Sequence, residues 1–134
     1  MPPRALVVED DRNTRDALRA IIEGEGWIVD VAADGETAIE HLSELEYALI
    51  LIDIVLPKMN GTDVMEHLEA TNPSALENVV VVTGVATKDI AALFPAVRAT
   101  LAKPVLPARL RATVKQYMLA WEASHRSSDT SSVA

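Results

Sequence analysis

The sequence contains no cysteine. Disulfides, thiolate metal centres and cysteine nucleophiles are therefore excluded. Positive charge is scarce: 12 Lys and Arg stand against 20 Asp and Glu, a net charge of −8. That balance argues against direct nucleic-acid binding, which needs a basic stripe, and against anionic membrane surfaces. The longest apolar run, residues 48–52, is far short of the roughly 20 residues that cross a bilayer. The opening residues, MPPRALVVEDD, show no charged stretch followed by a long apolar one. No secretory leader is expected from them, and the expected location is the cytoplasm. What is present is ordinary: 49% hydrophobic and 24% charged residues over 134 positions and 14.5 kDa. That length predicts one domain and burial of about two thirds of the unfolded surface, which excludes disorder throughout.

Apolar runs bounded by turn residues alternate with segments of helical period. The wholly apolar run 5–8 is followed by Glu9, Asp10 and Asp11, then by Leu18, Ile21 and Ile22 at helical spacing. Asp11 is the expected N-cap of that first helix. Residues 27–33 read as a strand with Trp27, Val29 and Val31 on one face and Asp30 on the other. Asp34-Gly35 opens a second helix with Ala38, Ile39 and Leu42 inward. Residues 47–52 form a third apolar run ending at Asp53. A third helix over about 62–70 puts Val64, Met65 and Leu68 on one face. Four valines, 79–82, end at Thr83-Gly84. A short fourth helix, about 87–94, is stopped by Pro95. A fifth strand, 97–102, ends at Lys103-Pro104. The last helix starts near Pro107 and carries Leu110, Val114, Tyr117, Met118 and Trp121 as its stripe.

Five strands alternating with five helices predict a parallel sheet covered on both faces. The first, third and fourth runs are apolar on both faces and are expected in the centre. The second and fifth carry Asp30, Arg98 and Thr100 and are expected at the edges. This fits a flavodoxin-like (βα)5 fold with strand order 2-1-3-4-5. The domain is expected over residues 1–123, with 124–134 as a flexible polar tail.

In such a sheet, ligands sit beyond the carboxyl ends of the strands. Those ends carry Glu9 and Asp10, Asp53, Thr83 and Lys103. Three carboxylates brought together repel by about 4 kcal/mol per pair at 4 Å and an effective dielectric near 20. Either one takes up a proton or a cation sits among them. Oxygen donors without cysteine or a histidine cluster favour Mg²⁺. A hydroxyl and an ammonium facing that site suit phosphoryl oxygens, and a carboxylate can then act as nucleophile.

With these residues in this order, the chain resembles the receiver domain of two-component response regulators over about residues 4–121. The matching segments are LVVEDD at 6–11, LIDIVLPKMNG at 51–61, VVVVTG at 79–84 and AKP at 102–104. The resemblance implies that Asp53 accepts phosphate from a histidine kinase or a histidine phosphotransfer protein. It implies that Glu9, Asp10, Asp53 and the backbone carbonyl of Val55 hold Mg²⁺, and that Thr83 and Lys103 bind the phosphoryl group. It also implies a cis Lys103-Pro104 bond, kinase docking through the first helix and the loop after the fifth strand, and a downstream protein target on the face formed by the fourth helix, fifth strand and fifth helix. Homodimerisation through that face is left open.

The sequence departs from the family in three places. Thr100 stands where an aromatic usually sits, three residues before the lysine. Val55 and Val85, two residues after Asp53 and Thr83, replace residues that are often polar and influence loss of the phosphoryl group. Pro95 shortens the fourth helix. With nothing but a polar segment after residue 124, the reading is a single-domain response regulator that signals by protein contact or phosphorelay. It is expected to be no enzyme beyond its own phosphorylation and dephosphorylation. Two alternatives stand beside it. One is a degenerate receiver that binds partners without phosphorylation. The other is a Mg²⁺-dependent phosphatase with an aspartate nucleophile, which normally carries a second Asp where Val55 stands. His41, His67 and His125 read as surface residues.

Overall fold

The computed structural model describes residues 2–84 and 88–133, leaving aside the side chains of 88, 89, 91 and 126–133. Five strands, β1 (Arg4–Val8), β2 (Ile28–Ala32), β3 (Leu49–Asp53), β4 (Val79–Thr83) and β5 (Ala99–Ala102), form one parallel sheet in the order β2-β1-β3-β4-β5. The flavodoxin-like order expected from strand character is thus the order found. β1, β3 and β4 are buried on both faces nearly throughout, as central strands must be, and the two strands with polar residues are the edges. Register brings Val8 opposite Ile52 and Asp53 opposite Val82, so the ends of the central strands lie side by side.

Alternation along each strand divides the core in two. Leu6, Val8, Ile50, Ile52, Val79 and Val81 face one layer, where they meet α2 (Gly35–Glu44), α3 (Gly61–Thr71) and α4 (Lys88–Leu93) through Ala38, Val64, Met65, Leu68 and Ile90. Ala5, Val7, Leu49, Leu51, Val80 and Val82 face the other, where they meet α1 (Arg12–Gly24) and α5 (Pro107–Val133) through Leu18, Ile22, Leu110 and Val114. Trp27, placed by its sequence pattern at a sheet edge, lies in this second layer and is 4% exposed.

Helix starts follow local chemistry. Asp11 caps α1, accepting from the backbone N–H of Thr14 at 2.9 Å, and Asp34 caps α2 through Thr37 at 2.8 Å. The Thr14 hydroxyl, at 2.6 Å, and then its N–H hold the Asp11 carboxyl below the ordinary aspartate range, and the Thr37 N–H does the same for Asp34. Asn60 and Asp63 close a capping box on α3. α4 has six residues and ends before Pro95, as Pro95 requires. Two features differ from expectation. A 3-10 turn, Pro73–Asn78, precedes β4, seeded by a proline in its first turn. And α5 runs on to Val133, through the segment read as a polar tail, because no glycine or proline follows Pro107 to end it.

Candidate functional site

The carboxyl edge of the sheet collects the polar ends of four strands. Beyond β1 come Glu9, which continues the ladder by donating its N–H to Ala32 at 3.0 Å, and Asp10. β3 and β4 end in Asp53 and Thr83. Lys103 follows β5 and is tied to β4 by its N–H on the Thr83 carbonyl at 2.9 Å. Glu9, Asp53 and Thr83 are the buried polar and charged residues among those described, in a core otherwise apolar. Burying polar groups is costly unless each is paired.

Pairing is what the geometry shows. The Lys103 ammonium donates to Asp53 Oδ2 at 2.6 Å and to both Glu9 oxygens at 3.1 and 3.3 Å. The other oxygen of Asp53, Oδ1, accepts the Val55 N–H at 3.1 Å, which ties the acid to the loop that follows it. Glu9, Asp10 and Asp53 each offer an oxygen within 4.8 Å of the others, two of the acids buried and Asp10 exposed. Three carboxylates against one ammonium leave two negative charges in excess when all are ionised. Burial, then the neighbouring Asp53 carboxyl, pushes the Glu9 pKa up to about 7 against the pull of Lys103. Burial alone would lower the Lys103 pKa, but its bonds to Asp53 and Glu9 outweigh that and raise it. The donor set is all oxygen, carries the charge a divalent cation would balance, and is open on the Asp10 side. It fits Mg²⁺.

The backbone around the site is built for close approach. Gly61 lies so near the Asp53 backbone that an added Cβ would overlap the Asp53 carbonyl, and its N–H donates to Ile54 at 2.9 Å. Lys58 takes a left-handed φ of 65° in the same β3–α3 loop, a conformation unusual for a side chain of its kind. Lys103-Pro104 is cis.

The structure thus brings together Glu9, Asp10, Asp53, Thr83 and Lys103, the residues singled out from strand ends. Val55 enters through its backbone N–H, and its side chain is 67% exposed. Val85 lies outside the described residues. One participant was missed. Arg15, one turn into α1, donates from Nη1 to the carbonyls of Glu9 at 3.1 Å and Asp10 at 3.4 Å. In sequence it reads only as one of several arginines on a helix, and no spacing rule marks a side chain that reaches back to a carbonyl.

The profile of the response regulator receiver domain matches residues 5–115. The chain belongs to that family. The transcriptional regulatory protein DltR of Streptococcus agalactiae is 38% identical over 65 residues, 48% of this chain and 29% of DltR. The chain therefore spans under a third of DltR. An uncharacterised 14.6 kDa protein of Leptolyngbya boryana is 34% identical over 118 residues, covering 87% of this chain and 90% of that one. Among solved structures, a CheY-like receiver domain protein from Methanospirillum hungatei superposes with a TM-score of 0.81 at 29% identity, over 92% of this chain and 99% of the other. As a receiver domain the chain is a component of two-component signalling, a system in which receivers work with histidine kinases.

Proposed function

We propose that this receiver accepts a phosphoryl group on Asp53. The observation that carries the reading is the Lys103 ammonium bridging Asp53 and Glu9, with Asp10 beside them, at the carboxyl edge of the sheet. A carboxylate oxygen of Asp53 attacks the phosphorus of a phosphohistidine on a kinase or phosphotransfer protein. The P–N bond breaks, its electron pair returns to the imidazole, and an aspartyl phosphate forms. Lys103 offers its ammonium to the incoming phosphoryl oxygens, and Thr83 its hydroxyl. Glu9, Asp10, Asp53 and the Val55 carbonyl would hold Mg²⁺, which supplies neutralisation of charge developing on the phosphoryl group. The chain turns over no other substrate; its chemistry is its own phosphorylation and the hydrolysis that reverses it.

Output is read as protein contact. Ala99 and Leu101 point into the α1/α5 layer, so Thr100 and Ala102 lie on the α4 side of β5, where both are exposed. Leu93 at the end of α4 and Leu106 before α5 are exposed as well. The exposed small and apolar groups of β5, of the end of α4 and of the link before α5 are suited to contact with a downstream protein or a second copy. Thr100 carries no ring to turn inward, so signalling through this face must use movement of backbone or of other side chains. The acidic, cysteine-free composition suits the cytoplasm.

The chemistry is tested by labelling with a small radioactive phosphodonor in Mg²⁺ and then adding neutral hydroxylamine, which cleaves acyl phosphates and spares phosphate esters. Label released by hydroxylamine and missing from Asp53→Asn is the expected result. Label that resists hydroxylamine, or persists in the variant, contradicts the assignment.

A further inference from the structure

We infer that Arg15 is a positioning residue for the metal site, acting through the backbone of Glu9 and Asp10. The inference rests on the reading of Glu9, Asp10 and Asp53 as Mg²⁺ ligands. The two acids occupy a link of three residues, 9–11, between the end of β1 at Val8 and the start of α1 at Arg12. Such a link can turn its peptide planes unless something fixes them. Three contacts do so. The Glu9 N–H is held by the Ala32 carbonyl at 3.0 Å. The Asp11 side chain is held by the Thr14 N–H at 2.9 Å and the Thr14 hydroxyl at 2.6 Å. Between them, one guanidinium nitrogen of the half-buried Arg15 holds both carbonyls, those of Glu9 and Asp10, at 3.1 and 3.4 Å. A carbonyl's direction sets the orientation of the peptide plane it belongs to, and with it the departure of the side chains on either side. Arg15 therefore fixes the two peptide planes from which the buried Glu9 and the exposed Asp10 depart, and so holds their carboxylates where, with Asp53, an oxygen of each lies within 4.8 Å of the others. Partners that orient metal ligands commonly change affinity about 10- to 100-fold when removed.

The sign of the effect separates this role from simple charge. A cation near three carboxylates competes with Mg²⁺, so losing Arg15 for electrostatic reasons alone would tighten Mg²⁺ binding. Losing a positioning residue weakens it. A purely structural contact would lower the melting temperature and leave the Mg²⁺ affinity of the folded protein unchanged.

The test is Mg²⁺ titration by calorimetry on the full chain, comparing the natural protein with Arg15→Met and Arg15→Lys, beside thermal melts in EDTA. The expected result is binding weakened on the order of tenfold in Arg15→Met. Arg15→Lys, which keeps the charge and one donor, should recover part of that loss. Affinity within twofold of the natural protein in Arg15→Met, or tighter, overturns the inference. Should Arg15→Met not fold, Arg15→Lys decides alone: its charge is unchanged, so weakened binding there can only be geometric, and unchanged binding overturns the role. Absence of Mg²⁺ binding by the natural protein would instead remove the metal reading itself, and this inference with it.

Discussion

At the scale of single residues, Glu9 is the most consequential buried charge. Its pKa of about 7 lies above the 4.5 of an ordinary glutamate, so the native state favours the protonated form. A raised folded pKa contributes stability that is complete below the unfolded value and is lost as pH rises through the folded one. Without metal, the melting temperature should therefore fall between about pH 5 and pH 7.5, and Glu9→Gln should flatten that slope. Asp11 and Asp34, whose pKa values are lowered from 3.8, act below this window and do not mask it. Melts in EDTA across the range decide it, and parallel slopes in the two proteins would contradict it. Val55 bears on the lifetime of the phosphoryl group. Its exposed isopropyl stands beside Asp53 and offers no hydrogen bond to an attacking water. Loss of phosphate should be slow, and Val55→Asn combined with Val85→Glu should speed it several-fold. Equal half-lives, followed by intact mass after removal of the phosphodonor, would contradict this.

At the scale of elements, the site depends on how closely the start of α3 approaches β3. Gly61 is the first residue of α3 and leaves no room for a methyl group against the Asp53 carbonyl. Gly61→Ala must push the loop away or twist the strand end that carries Asp53. It should cost on the order of 1–3 kcal/mol, the range seen for overpacked positions, and slow phosphorylation. Gly24→Ala serves as the control, since a Cβ there meets no atom within 4 Å. Equal denaturation midpoints for the two variants would show that the loop yields freely. Elements were also where the sequence spoke most clearly. The four valines of β4 and the apolar runs of β1 and β3 read as central strands, and Asp30 and Thr100 mark edges. Asp30 also has a role that its position did not announce: it pairs with Arg4 at 3.1 Å and accepts from the Tyr47 hydroxyl at 2.7 Å, joining β1, β2 and the residues before β3. The 3-10 turn at Pro73–Asn78 escaped notice because its six residues show neither helical nor strand period.

At the scale of the whole molecule, five residues separated by up to 94 positions in sequence become one site. The parallel order alone makes this possible, because every strand of such a sheet delivers its carboxyl end to the same edge. That is why the candidate site is legible in the sequence: a residue at a strand end needs only the strand to be recognised. Arg15 and the left-handed Lys58 were not legible for the converse reason. Their roles arise from where a long side chain reaches and how one loop bends, and neither is set by periodicity.

The central claim is that these strand ends make Asp53 a phosphoacceptor. Intact-protein mass after incubation with acetyl phosphate, with Mg²⁺ or with EDTA, tests it most directly when run beside Asp53→Asn. A single phosphoryl addition that needs Mg²⁺ and vanishes in Asp53→Asn is the result this account predicts. An addition that survives in Asp53→Asn, or that forms equally well in EDTA, would contradict it.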